Sequence, residues 1–179
     1  SAAASALLFS PLLPVHDAAR LASGAYVALA LLFCALAGRE LHGSRHGALT
    51  VLLLLGCFGL VVRSHQLVSG VAVLAGFAMA YYGLALAPRR ALPGGLWLGC
   101  GLGIVFMARG LPEALAVAAI ALLLPLVARS WRGRNHALAL AAALAAAMPW
   151  LALWPALLHL QAPGLFEAWL WDHNISRFT

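Results

Sequence analysis

The stretch Leu111-Pro-Glu-Ala-Leu-Ala-Val-Ala-Ala-Ile-Ala-Leu-Leu-Leu-Pro-Leu-Val-Ala128 decides the class of fold. After Glu113 it carries no charged side chain until Arg129. A strand of a membrane barrel would alternate apolar and polar residues over about 10 positions. This unbroken Leu/Ala/Val run does not alternate, so it reads as a helix passing through lipid. Five more runs have the same character: Leu21–Ala37, Gly47–Val62, Leu67–Ala87, Leu92–Ala108 and Ala137–Leu158. About 20 helical residues cross roughly 30 Å of hydrocarbon, and the shorter runs extend into turns whose arginines snorkel. The sequence therefore predicts an all-α, polytopic transmembrane bundle of about six spans. Residues 1–179 form a single domain: an interfacial segment on the outer side (1–17), six helices (18–158) and an outer tail (159–179) with a polar cluster.

Composition agrees. Of the residues, 64% are hydrophobic and 9% charged, and the mean hydropathy is +0.96. A soluble domain of this length needs far more polar surface. All eleven basic side chains are arginine, so the net charge of +6 consists of permanent guanidinium groups, suited to phosphate rather than to proton transfer. Cys34, Cys57 and Cys100 each fall inside an apolar run. They read as small packing residues, not as disulfides or metal ligands.

With six crossings, the turns alternate between two sides. Arg39, Arg45, Arg89, Arg90, Arg129, Arg132 and Arg134 collect on one, and Arg20, Arg63, Arg109 and Arg177 on the other. The positive-inside rule makes the first side cytoplasmic and turns both chain ends outward. Four of the five acids (Asp17, Glu113, Glu167 and Asp172) are on the outer side, leaving only Glu40 inside. The outer face is thus chemically mixed, and the inner face simply basic.

Polar groups crowd at the end, in Glu167-Ala-Trp-Leu-Trp-Asp-His-Asn-Ile-Ser-Arg-Phe-Thr179. Charge near a membrane is costly to place and usually has a reason. Two tight outer turns carry the other candidates, Arg63-Ser-His65-Gln66 and Arg109-Gly-Leu-Pro-Glu113. Taken singly, each arginine also suits a plain role as a helix-end charge facing lipid headgroups. Four gathered around one anion would be a site. Ser1 and the proline-broken opening through Pro14, with the abrupt stop at Thr179, lead us to expect a piece of a longer protein.

Three segments, in order, resemble a family. Asp172-His173-Asn-Ile-Ser-Arg177-Phe178, after a helix bearing Pro149-Trp150, resembles the Glu/Asp-His-x-x-x-Arg-Phe pattern of the aminoarabinose transferase/protein O-mannosyltransferase group. Ala19-Arg20-Leu21-Ala22-Ser23 is similar to its Ala-Arg-Leu-Pro-Ser helix opening. Gly103-Ile-Val-Phe106-Met-Ala-Arg109-Gly110-Leu111-Pro112 is similar to its Gly-x-x-Phe-x-x-Lys-Gly-Pro signature, with arginine for lysine and a leucine before the proline. These are membrane glycosyltransferases of the C-type fold. The resemblance implies a fragment of such a membrane domain, in the bacterial inner membrane with its active face outward. It implies inverting transfer of a sugar from a polyprenyl-phosphate donor to a lipid A, protein or other glycan acceptor. Arg109 and Arg177 would contact the lipid phosphate, with His173 orienting one of them or touching the phosphate itself. Forked, permanently charged guanidinium groups stabilise a departing phosphate without titrating. The family's catalytic carboxylate lies upstream of the segment that Arg20 opens, so the piece alone is expected to be inactive.

Many relatives have an aspartate in the turn aligned with Arg63–Gly70; this chain has His65, Gln66 and Ser69. Arg63 and His65 are retained as neighbours of the lipid phosphate. Asp172 and His173 are spaced as a possible cation pair, since some relatives hold a divalent ion nearby. Two adjacent ligands are too few for a closed site, and a salt bridge from Asp172 to an outer arginine is the plainer reading. No other cofactor is indicated.

The remaining features have packing readings. Tyr81, Tyr82 and the six tryptophans form an interfacial belt. Gly70, Ala72, Ala75, Gly76, Ala78 and Ala80 permit close helix contact, and Gly99, Gly101 and Gly103 leave one side of the fourth run bare. His159 is a hydrogen-bonded helix-end residue. The inner turns bind anionic lipid, and no nucleic-acid track is present. The alternative function is a transporter or assembly subunit for lipid-linked or anionic substrates. Transport sites favour polar groups at midplane between broken helices, whereas here the midplanes are apolar.

Overall fold

The computed structural model describes residues 15–56 and 69–171, which are all-helical and contain no strand. In chain order the helices are α1 (Val15–His42), α2 (His46–Leu55), α3 (Ser69–Leu86), α4 (Ala91–Arg109) and α5 (Leu111–Val127). A 3₁₀ turn (Arg129–Trp131) leads into α6 (Arg134–Met148), a π-helical turn (Pro149–Leu153), α7 (Trp154–Gln161) and α8 (Pro163–Leu170). The described residues of each apolar run are helical, except for the closing residue or two of some runs, and the last run passes through α6, the π-helical turn and α7. Among the described residues, three helices are long and apolar enough to cross a membrane: Leu21–His42 within α1, α4, and the continuous Arg134–Gln161 that joins α6 to α7. The apolar helices α2, α3 and α5 are shorter, and α2 and α3 border residues outside the described part. The 19 residues of α4 rise about 28 Å between Arg90 and Arg109, close to one hydrocarbon thickness.

Two turns need glycine. Gly43 ends α1 at φ 97°, and Gly110 separates α4 from α5 at φ 100°. Both conformations are strained for any residue with a Cβ. The Gly110 N–H donates to the Phe106 carbonyl at 2.8 Å, closing the last turn of α4 before the chain reverses.

Small residues set the packing. Helix α3 lies between α1 and α4, while α4 lies between α3 and α6; α2 packs on α1, and α5 on α4. Gly76, Ala80 and Gly83 of α3, with Ala87 just past its end, meet Val105, Gly101, Leu98 and Gly94 of α4 in antiparallel order. A Cβ at Gly76 would stand 2.7 Å from the Val105 side chain, and one at Gly101 2.6 Å from the Gly76 carbonyl oxygen. The contact between α4 and α6 is parallel instead. Gly95 and Gly99 sit on the backbone of Ala139 and Ala143, and Gly103 lies under the Trp150 ring. With no side chain between them, the backbones approach closely enough for dispersion to hold them.

This corrects the expectation that Gly99, Gly101 and Gly103 bare one side of α4. At 100° per residue, positions 99 and 103 share a face, but 101 is turned about 200° from 99. Helix α4 is therefore bare on two faces, and so it occupies the centre. The interior is correspondingly made mostly of alanine and glycine, with Leu98 and Val105 the largest fully enclosed side chains. Many leucines point outward, Leu126 and Leu160 among them at 69% and 77% exposed, although Leu84, Leu86 and Leu98 are buried. An apolar exterior of this extent calls for lipid or a partner rather than water.

Three details are added to the expected layout. Val15–Asp17 form the first turn of α1. The first half of the tail is helical, as the end of α7 and all of α8. Several aromatics make ring or backbone contacts, Trp97 with Phe33, Trp150 over Gly103, and Trp154 with Trp169 at 5.2 Å, while Trp97 and Trp150 stay 38% and 43% exposed.

Candidate functional site

The bundle has two chemically different ends. At one, the turn through Gly110 carries Arg109 back over the first turn of α5, where its guanidinium lies 3.8 Å from the Glu113 carboxylate. That separation is the outer limit of an ion pair, and the arginine side chain remains 41% exposed. Pro112 falls in the first turn of α5, where its missing N–H costs nothing. Below the pair, Val105, Phe106 and Ala114 form a small core that Leu111, Leu151 and Trp169 complete. Helix α8 folds back along α7 to bring Trp169 edge-on to Phe106 at 5.8 Å, while His159 packs on Phe166 at 5.0 Å. His159 lies in the last turn of α7, as expected, and makes this ring contact there.

An apolar groove of about 450 Å³ runs from this end into the bundle between α4, α5 and α6. Leu111, Ala114 and Leu151 line it near the Arg109 turn, and Ala121, Leu122 and Leu140 line it toward the opposite end. Its size lies within the usual range for ligand clefts. The cation and the groove follow from one piece of geometry. The glycine turn places Arg109 where α5 begins, and α5 packs on α4 too loosely to fill the space beside α6.

At the other end, three turns are stitched together. Arg89 Nη1 donates to Glu40 Oε1 at 2.9 Å, joining the α3–α4 turn to the end of α1. Asn135 Nδ2 donates to the Pro88 carbonyl at 2.9 Å, and Trp131 Nε1 to the Leu84 carbonyl at 3.0 Å. Arg39, Arg45, Arg89, Arg90, Arg129, Arg132 and Arg134 therefore belong to turns at one end, as the alternation of spans requires. Arg132 reaches the last carbonyls of α5, with its Nη2 2.7 Å from the Leu126 oxygen, which is the favourable place for a cation on the helix dipole.

Reading the sequence missed His136, which is buried in the first turn of α6 with Nε2 3.0 Å from the Ala121 carbonyl oxygen. A carbonyl only accepts, so Nε2 carries the proton. Ala121 is four residues before Pro125, whose ring nitrogen has no hydrogen to give it. His136 supplies the missing donor, as neighbouring helices do for proline-freed carbonyls inside lipid. The proline inside an otherwise uniform run was the signal that could have pointed to a donor elsewhere.

Of the predicted lipid-phosphate residues, the structure places Arg109 as given above. Arg63, His65, Asp172, His173 and Arg177 lie outside the described residues, as does Cys57. Cys34 and Cys100 are free thiols. Among the described residues no three His, Cys, Asp or Glu side chains are grouped as a metal site. No protein-family model matches the chain, and neither a curated protein nor a solved structure shows a significant match to it.

Proposed function

We propose that the chain is part of an integral-membrane glycosyltransferase that moves a sugar from a polyprenyl-phosphate donor to a cell-envelope acceptor. In this reading the six apolar helices all span the membrane. The arginine-rich end faces the cytoplasm, and the Arg109 end the outer side of a bacterial inner membrane. The observation that carries the reading is the conjunction of Arg109 with the groove between α4, α5 and α6. A polyprenyl phosphate is a long apolar chain ending in an anion, and it needs an apolar channel with a cation at its mouth. The Arg109 side chain is 41% exposed at this end, and a guanidinium can hold phosphate oxygens in a forked pair of charge-assisted bonds. As the glycosidic bond breaks, charge grows on that phosphate, and a fixed cation stabilises the growing charge more than the starting state. Arg177, His173, Asp172, Arg63 and His65 are proposed as further contacts to the same headgroup.

The test is sugar transfer from a labelled polyprenyl-phosphate donor, in membranes holding the intact protein at matched levels. Arg109→Ala should lose about a hundredfold in rate, the usual cost of removing one such donor. Unchanged transfer would reduce Arg109 to a helix-end charge. The second reading is a transporter, favoured by the π-helical turn at Pro149–Leu153 within the long helix Arg134–Gln161, since such turns are frequent at functional sites. Counterflow of a lipid-linked sugar in sealed vesicles, without transfer, would select it.

A further inference from the structure

A second apolar groove of about 450 Å³ opens on the opposite flank of α5, between α1, α3 and α5. Cys34, Phe77, Tyr81, Leu84, Ala116 and Ile120 are among the residues that line it. On α1 and α3, Cys34, Tyr81 and Leu84 lie in the half nearer the arginine-rich turns, whereas Ala116 lies in the first half of α5 and Ile120 near its middle. Leu84 brings this groove to the arginine-rich end, while Leu111 brings the first groove to the Arg109 end. The two clefts lie on opposite flanks of α5.

The end of this second groove has a defined chemistry. Trp131 donates its indole N–H to the Leu84 carbonyl, and Arg132 holds the last carbonyls of α5. Those two bonds tie the 3₁₀ turn Arg129–Trp131 across the ends of α3 and α5, beneath the groove. Arg129 opens that turn and is exposed. The one acid read onto this end, Glu40, is already bonded to Arg89. An amphiphile entering here meets an apolar cleft, an indole at its edge and an excess of fixed positive charge.

We infer that this groove holds one acyl chain of an anionic phospholipid from the leaflet on the arginine-rich side, with the lipid phosphate on Arg129. Charge complementarity selects the occupant: a zwitterionic lipid offers the same chain, but its own cation opposes the arginines. The assignment is independent of the glycosyltransferase reading, since it uses other residues, the opposite end and a different cleft.

The test uses the purified chain in vesicles of equal parts phosphatidylglycerol and phosphatidylcholine. Lipid retained after detergent exchange is counted by mass spectrometry. The wild type should retain phosphatidylglycerol about tenfold over phosphatidylcholine, the ratio that one charge-assisted contact supports. Arg129→Gln should remove most of that preference, whereas Arg45→Gln, in the turn between α1 and α2, should keep it. Ala116→Trp, which fills the cleft from an exposed position on α5, should lower retention of both lipids. Raising salt to about 1 M should weaken the wild-type preference, because the screening length falls to about 3 Å. Equal retention of the two lipids by the wild type would overturn the assignment. So would equal losses in Arg129→Gln and Arg45→Gln, which would mean a diffuse basic surface.

Discussion

The imidazole Nε2 of His136 lies 3.0 Å from the carbonyl oxygen of Ala121, the oxygen that Pro125 leaves without its helical donor. One side chain on α6 thereby repairs a break in α5. It also ties α5 to the bundle near its arginine-rich end, although α5 is flanked by a cleft on each side.

The repair has a double-mutant signature. His136→Ala strands a buried carbonyl, which costs about 1–3 kcal/mol. Pro125→Ala restores the N–H inside α5, so His136→Ala should cost less than half as much in that background. Thermal unfolding of the four proteins in one detergent reads the coupling. Additive losses would mean that the imidazole is not the donor Ala121 needs.

Close backbone contact makes a sharper demand. Replacing Gly99 by leucine drives a side chain into the Ala143 carbonyl and the Ala146 methyl, the latter 2.8 Å from an added Cβ. Backbone cannot yield as a rotamer does, so the loss should reach about 3 kcal/mol, the upper part of the overpacking range. Gly133→Leu is the matched control, because nothing lies within 4 Å of an added Cβ there. Equal melting temperatures for the two variants would contradict the α4–α6 contact.

Length selectivity tests the groove between α4, α5 and α6. Ala118 lines it midway along α5. Ala118→Trp should raise KM for a long-chain polyprenyl-phosphate sugar about tenfold, which corresponds to about 1.4 kcal/mol of lost chain contact. A donor with a chain of one or two isoprene units should keep its KM. An equal rise for both donors would place the long chain elsewhere.

Arg109→Lys separates a fork from a point charge. Lysine keeps the charge but not the paired geometry. Transfer should therefore be reduced by an amount between those for wild type and Arg109→Ala. If lysine restores full activity, the role is charge alone.

The Glu40–Arg89 bridge should contribute little. Its arginine is 72% exposed, and exposed pairs give about 0–1 kcal/mol. Alanine at both positions should leave the melting temperature within a few degrees, with a coupling energy below about 1 kcal/mol in the cycle. A larger coupling would mean that this pair, rather than the contact of Phe33 with Ala78 and Met79, aligns α1 with α3.

The helical class and the six apolar segments were legible in the chain alone, because lipid imposes one rule everywhere. Backbone polar groups must be satisfied within each segment, so long runs of Leu, Ala and Val become helices whatever their neighbours do. The grouping of the seven arginines followed from the helix order, since alternating helices return every second turn to one end. Arg109 was singled out by its place in a tight Arg-Gly turn.

Tertiary structure decided what depends on which helix faces which. That α4 is central could not be read from its glycines, because bare faces do not name their partners. The assignment of Gly94 and Gly101 to α3, and of Gly95 and Gly99 to α6, required the arrangement in space. The donor for Ala121 came from fifteen residues away across a helix pair, and the two clefts beside α5 exist only because neighbouring helices fail to meet there. Periodicity and charge are properties of each segment, whereas packing, satisfaction of a freed carbonyl and enclosed space are properties of pairs and triples. Only the folded arrangement brings those together.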